Sequence, residues 1–122
     1  GFAALSVADA AFEDKDYSRA SEFYKLAASS LQGNILAGRA ALGIAFSTYQ
    51  SEKEEGLKQL DSISSNALYS DSTKAEAVYH LAVDALNDGK VEAFDSLLAQ
   101  ISEFKAGSQW SQRLEYYQQQ AP

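Results

Sequence analysis

The chain has 122 residues, 46% of them hydrophobic and 22% charged, with a single proline at position 122, a composition that excludes a disordered polypeptide. Ten Lys+Arg against 17 Asp+Glu give a net charge of -7, with the basic residues scattered singly. That balance repels a phosphate backbone, so no nucleic acid is expected, and it denies a peripheral helix the basic face needed to dock on anionic lipid. The absence of cysteine removes disulfides, thiolate zinc sites and cysteine nucleophiles together.

No stretch alternates with a two-residue period, whereas helix punctuation is dense, so an all-α chain of seven helices is expected. An apolar run from Ala4 to Phe12 predicts the first over about 2–14. Asp14-Lys15-Asp16 ends it, and Asp16 is placed to cap a second helix over about 16–30. Gln32-Gly33-Asn34 reads as a turn whose Asn34 can cap a third over about 35–50. The start of that helix, "ILAGRAALGIAF" from Ile35 to Phe46, is apolar almost all round yet carries Gly38 and Gly43. Broken by Arg39, it falls short of the roughly 18 residues needed to cross a bilayer. It predicts instead a helix pressed by neighbours on several sides. Each interior glycine costs about 1 kcal/mol against alanine. Close backbone approach can offset that cost, and Ala37, Ala41 and Ala45 extend the same narrow surface.

"SEKE" (Ser51 to Glu54) has capping-box spacing and predicts a fourth helix over about 52–63. A long connector, Ser62 to Ser72, has room for a short helical turn of its own. "TKAE" (Thr73 to Glu76) offers a second capping box for a fifth helix over about 73–88. Gly89 is placed to end it, and a sixth follows over about 90–104, with Gly107 at its end. The seventh spans about 108–119. Trp110, Leu114 and Tyr117 form one stripe of it, either an amphipathic cap or, with Tyr116, an aromatic contact surface.

Six of these helices pair through short turns. The second member of each pair carries a small residue followed four later by a large one: Ala20 and Tyr24, Gly56 and Leu60, Ala93 and Leu97. The small residues lie 36 apart from Ala20 to Gly56 and 37 apart from Gly56 to Ala93, a period typical of helical solenoids. With Ala8, Tyr17, Ala20, Tyr24 and Ala27 in the first unit, Leu42, Gly43 and Phe46 in the second and Ala82 and Ala85 in the third, the chain resembles the tetratricopeptide repeat family. No tryptophan opens a repeat, no proline closes one, and both spacings exceed the family's repeat of about 34. An unrelated α-solenoid is the alternative.

The resemblance implies one TPR-like domain over 1–122. It would be a right-handed superhelix of three helix-turn-helix pairs, at about 2–30, 35–63 and 73–104, plus a capping helix at about 108–119. "ILAGRAALGIAF", "GLKQLDSI" and "KAEAVYHLAVDALNDGKVEAFDSLLAQI" are similar to the divergent tetratricopeptide domains of bacterial cell-envelope proteins, among them the ancillary subunit of the Sec translocation channel. That likeness implies a periplasmic or envelope setting and a membrane anchor ahead of the repeats, the cytoplasm being the alternative. The chain holds no methionine, position 1 included, so a native start upstream of Phe2 is expected, with Gly1 as a processing scar.

Function is expected to follow the groove of such a superhelix, lined by the first helix of each pair. The resemblance maps it onto Asp9, Phe12 and Glu13, then Ala40, Ile44, Ser47 and Thr48, then Glu76, Tyr79, His80, Val83 and Asn87. A mixed surface with acidic ends suits a peptide or protein segment, preferably a basic one. Self-assembly into a structural homo-oligomer is the competing expectation. Glu76, His80 and Asp84, spaced by four, admit a metal or acid-base cluster or a solvated polar stripe. Three ligands on one straight helix cannot surround an ion, so no metal and no cofactor is expected. No catalytic motif is present and the one histidine has no second, so no enzyme is expected.

Overall fold

Alanine, leucine, glutamate and lysine fill most positions between the turns, and with proline absent before position 122 nothing interrupts a helix. The computed structural model describes residues 1–105 and 107–120, and among these it contains seven α-helices and no strand. They are α1 (Phe2–Glu13), α2 (Tyr17–Ser30), α3 (Ala37–Ser51), α4 (Lys53–Ser64), α5 (Asp71–Asn87), α6 (Val91–Ile101) and α7 (Gly107–Gln120).

Punctuation explains where the expected limits hold and where they move. Asp16 caps α2 as anticipated, its carboxylate accepting from the Arg19 N–H at 3.3 Å. Asn34 instead closes a local turn, accepting from the Leu36 N–H at 2.9 Å, and α3 begins at Ala37. Ser51 belongs to the last turn of α3 rather than to a capping box. Ser70, not Thr73, caps α5 by accepting from the Thr73 N–H at 3.2 Å, which starts the helix two residues early. The connector shrinks to residues 65–70, with Asn66 closing a turn onto the Leu68 N–H, and holds no helix. Gly107 opens α7 instead of ending α6, which stops at Ile101.

Two of the turns are near-copies of each other. Asp14 (φ -78°, ψ 1°), Lys15 (φ 63°) and Asp16 (φ -88°, ψ 76°) join α1 to α2. Asp88 (φ -87°, ψ 3°), Gly89 (φ 72°) and Lys90 (φ -88°, ψ 77°) join α5 to α6. In each, the left-handed residue donates to the second carbonyl back in the helix and the next residue to the third. Lys15 and Asp16 bond Phe12 and Ala11 at 3.0 and 2.9 Å, while Gly89 and Lys90 bond Leu86 and Ala85 at 3.1 and 2.9 Å. This double closure satisfies carbonyls that a helix end leaves unpaired.

Counting from the residue that precedes each second helix (Asp16, Glu52, Lys90), the fourth position is Ala20, Gly56 and Phe94, all three buried. Ala93, expected at this position, is exposed. Small size drew the sequence reading to Ala93; burial falls on Phe94.

The chain forms two compact units, Gly1–Gln59 and Leu60–Pro122. In the first, α2 packs on α1 and α3, and α1 also touches α3. Its core joins Leu5, Ala8, Ala11, Ala20, Tyr24 and Ala27, with Leu31 and Ala40 closing it. In the second, α5, α6 and α7 pack on one another around Val78, Ala82, Phe94, Ile101 and Leu114.

The glycine-bearing helix α3 is buried at Gly38, Ala40, Leu42, Gly43, Ala45 and Ser47, so its burial does run round several faces. A Cβ on Gly43 would lie 2.5 Å from the Tyr24 ring, and one on Gly56 would lie 2.5 Å from the Tyr49 Cα. Both glycines therefore permit contacts that alanine would block, the first with a ring of α2 and the second between the backbones of α3 and α4.

Candidate functional site

The expected groove residues divide among three environments. Asp9, half-buried on α1, accepts from the Tyr24 hydroxyl of α2 at 2.5 Å through Oδ1 and from the Arg39 guanidinium of α3 through Oδ2. Burial first, then the bond to Asp9, pushes the Tyr24 hydroxyl well above the ordinary tyrosine range. One carboxylate thus ties three helices, with both oxygens engaged inside the unit. Phe12 packs against the same core and meets Tyr17 edge-on at 5.2 Å. Glu13 is exposed at the end of α1. Ala40 lies wholly in the core, and Ile44 packs against it.

On α5 the row Tyr79, Val83 and Asn87 faces α7. Tyr79 packs on Trp110 with ring centroids 5.1 Å apart, and Arg113 lies over both rings, 5.1 Å from Tyr79 and 4.6 Å from Trp110. Val83 packs against the core of this unit. Asn87 Oδ1 accepts from the Tyr117 hydroxyl at 3.0 Å. Trp110, Leu114 and Tyr117 all point inward, as the sequence stripe predicts, and Tyr116 is left exposed. Tyr79 and Asn87 of this row thus contact α7, and Asn87 is exposed.

His80 sits edge-on to Tyr79, and burial, aided by the nearby Arg113 charge, pushes its imidazole down to about 4. Glu76 is half-buried and Asp84 buried, so the Glu76, His80, Asp84 row is not a solvated stripe. Among the described residues no group of three or more His, Cys, Asp or Glu side chains is placed to hold a metal ion.

Ser47 and Thr48 meet different company. They line a cavity of about 510 Å³ within the first unit, walled by α2, the C-terminal half of α3, and α4. Its floor is formed by buried Ser47 with half-buried Thr48, Ser21 and Gln59. Its rim carries the exposed carboxylates of Glu22, Glu52 and Glu55 against one ammonium, Lys25.

Hydroxyls on helices usually satisfy themselves by bonding a carbonyl one turn back. Thr48 does so to Ile44 at 2.8 Å, Ser30 to Leu26 at 3.1 Å and Ser102 to Leu98 at 3.1 Å. Buried Ser64 likewise bonds the Asp61 carbonyl at 2.7 Å, but buried Ser47 does not. Its Oγ is buried, with the residue 1% exposed, and has no hydrogen-bond partner. The other such atom among the described residues, Gln59 Oε1, belongs to a residue in the wall of the same cavity. A buried polar atom left unpaired costs about 1–3 kcal/mol, so these two atoms burden the fold beside the cavity.

Sequence reasoning named Ser47 and Thr48 but missed the walls on α2 and α4. The signal was present: Ser18, Ser21, Glu22 and Lys25 follow the i, i+3, i+4, i+7 spacing of one helix face, and Glu52, Glu55 and Gln59 follow i, i+3, i+7. No protein-family model, curated protein or solved structure matches this chain.

Proposed function

We propose that the chain is a non-catalytic, tetratricopeptide-like binding module that takes a peptide or protein segment. The observation that carries this reading is the cavity of the first unit, where Ser47 Oγ and Gln59 Oε1 lie buried without partners beneath a charged rim. The cavity is lined by hydroxyls, an amide, carboxylates and one ammonium. It is equipped for hydrogen bonding and charge complementarity.

The repeat element of the reading is supported by the matching turns after α1 and α5, and by the buried series Ala20, Gly56 and Phe94. In this reading α7 is the terminal cap, its stripe covering the face of α5 that a further repeat would otherwise cover. The bacterial-envelope setting and an anchor ahead of Phe2 rest on the family resemblance alone. No helix among the described residues is long and apolar enough to cross a membrane.

Selection of a random peptide library against the folded chain tests the function. The proposal predicts enrichment of a shared sequence pattern that competes for one site. Selection that yields no pattern beyond that of an unrelated helical protein overturns it.

A further inference from the structure

We propose that the α2/α3/α4 cavity receives the guanidinium group of an arginine side chain presented by the partner polypeptide, an assignment that rests on the binding-module reading above. The buried floor sets the chemistry. Gln59 Oε1 can only accept a hydrogen bond, so its missing partner is a donor. Ser47 Oγ, 1% exposed and equally unpartnered, can likewise accept a hydrogen bond. The rim sets the charge: Glu22, Glu52 and Glu55 outnumber Lys25, on a chain whose net charge is -7. Phosphates and carboxylates are disfavoured by this rim, and an apolar group would leave the floor atoms unsatisfied.

Guanidinium fits each requirement. It carries five N–H donors and no acceptor, keeps its charge at any working pH, and reaches two acceptors at once through a planar fork. An ammonium offers the charge but not the fork, and it is more strongly hydrated, so lysine is the weaker occupant. A volume of about 510 Å³ holds far more than one water, whose share of the liquid is about 30 Å³. It is room for a long side chain together with the flanking backbone that presents it.

The test is an NMR titration of the whole ¹⁵N-labelled chain with four blocked pentapeptides that differ only at a central Arg, Lys, Glu or norleucine. The arginine peptide should produce saturable shifts at Ser18, Ser47 and Gln59 that weaken with added salt, the lysine peptide smaller ones, and the other two none. Glu52→Gln with Glu55→Gln, both exposed and so tolerated by the fold, should weaken the arginine peptide by about tenfold. Equal responses to all four peptides, unchanged affinity in the double variant, or equally tight displacement by free spermidine would overturn the assignment. Library-selected peptides that shift only residues of Leu60–Pro122 would sink the cavity assignment and leave the binding-module reading standing. A library that enriches nothing, with no response to the arginine peptide, sinks both.

Discussion

Gly43 and Tyr24 show how one position can reverse a general propensity. Alanine normally gains about 1 kcal/mol over glycine inside a helix. Here its Cβ would sit 2.5 Å from a ring that is 6% exposed and tethered through its hydroxyl to Asp9, so the ring cannot swing aside freely. We expect Gly43→Ala to destabilise the chain by about 1–3 kcal/mol in urea unfolding. Adding Tyr24→Ala should make the pair non-additive, because it removes the ring atoms that collide. Plain additivity of the two would show that the ring is not what excludes the methyl. His80 gives a pH test at the same scale. Its folded value of about 4 lies below the ordinary 6.5, so the unfolded chain binds the extra proton between those values. Stability is therefore complete above about pH 6.5 and declines as pH falls toward 4, by up to about 3 kcal/mol. His80→Gln should flatten that window in pH-dependent denaturation, leaving only the carboxylate losses at lower pH. A histidine contribution that instead grew as the pH fell would place the imidazole in a different setting.

Elements obey their end signals more closely than their interiors. The turns after α1 and α5 have nearly the same backbone, yet one places Lys15 and the other Gly89 at the left-handed position. A side chain there costs roughly 1 kcal/mol that glycine avoids. Lys15→Gly should therefore stabilise the chain by about 0.5–1 kcal/mol, and Gly89→Lys should destabilise it by a similar amount. Opposite signs in thermal melts confirm that the turns are equivalent, whereas matching signs would separate them. The same comparison shows what a sequence discloses. Seven helices were legible because each boundary carries a cap, a glycine or a polar cluster. The choice among caps was not, since Asn34, Ser51, Ser70 and Thr73 all have short polar side chains able to serve several local roles. Ala93 misled for a related reason: small size suggests close packing, but the position on the helix face decides burial, and that face carries Phe94.

For the whole molecule, the candidate site was harder to read than the fold, because its walls come from three helices whose polar rows gain meaning only once they face one another. Ser47 and Thr48 could be named from one helix, while Gln59 and the rim carboxylates required knowing that α2 and α4 flank the C-terminal half of α3. The row on α5 shows the same dependence: only in the fold does Tyr79 pack on Trp110 and Asn87 bond the Tyr117 hydroxyl of α7. The central claim is that the cavity keeps buried polar atoms for a ligand at the expense of stability, and Ser47 concentrates it. Removing its hydroxyl deletes an unsatisfied polar group and improves helix propensity, so Ser47→Ala without ligand should be more stable than wild type by about 1 kcal/mol. The most direct measurement is the melting temperature of Ser47→Ala and wild type, each with and without the arginine peptide. The account predicts a free variant that melts higher by a few degrees and gains less from the peptide than wild type does. A variant that melts lower when free and keeps the full peptide-induced rise would contradict it.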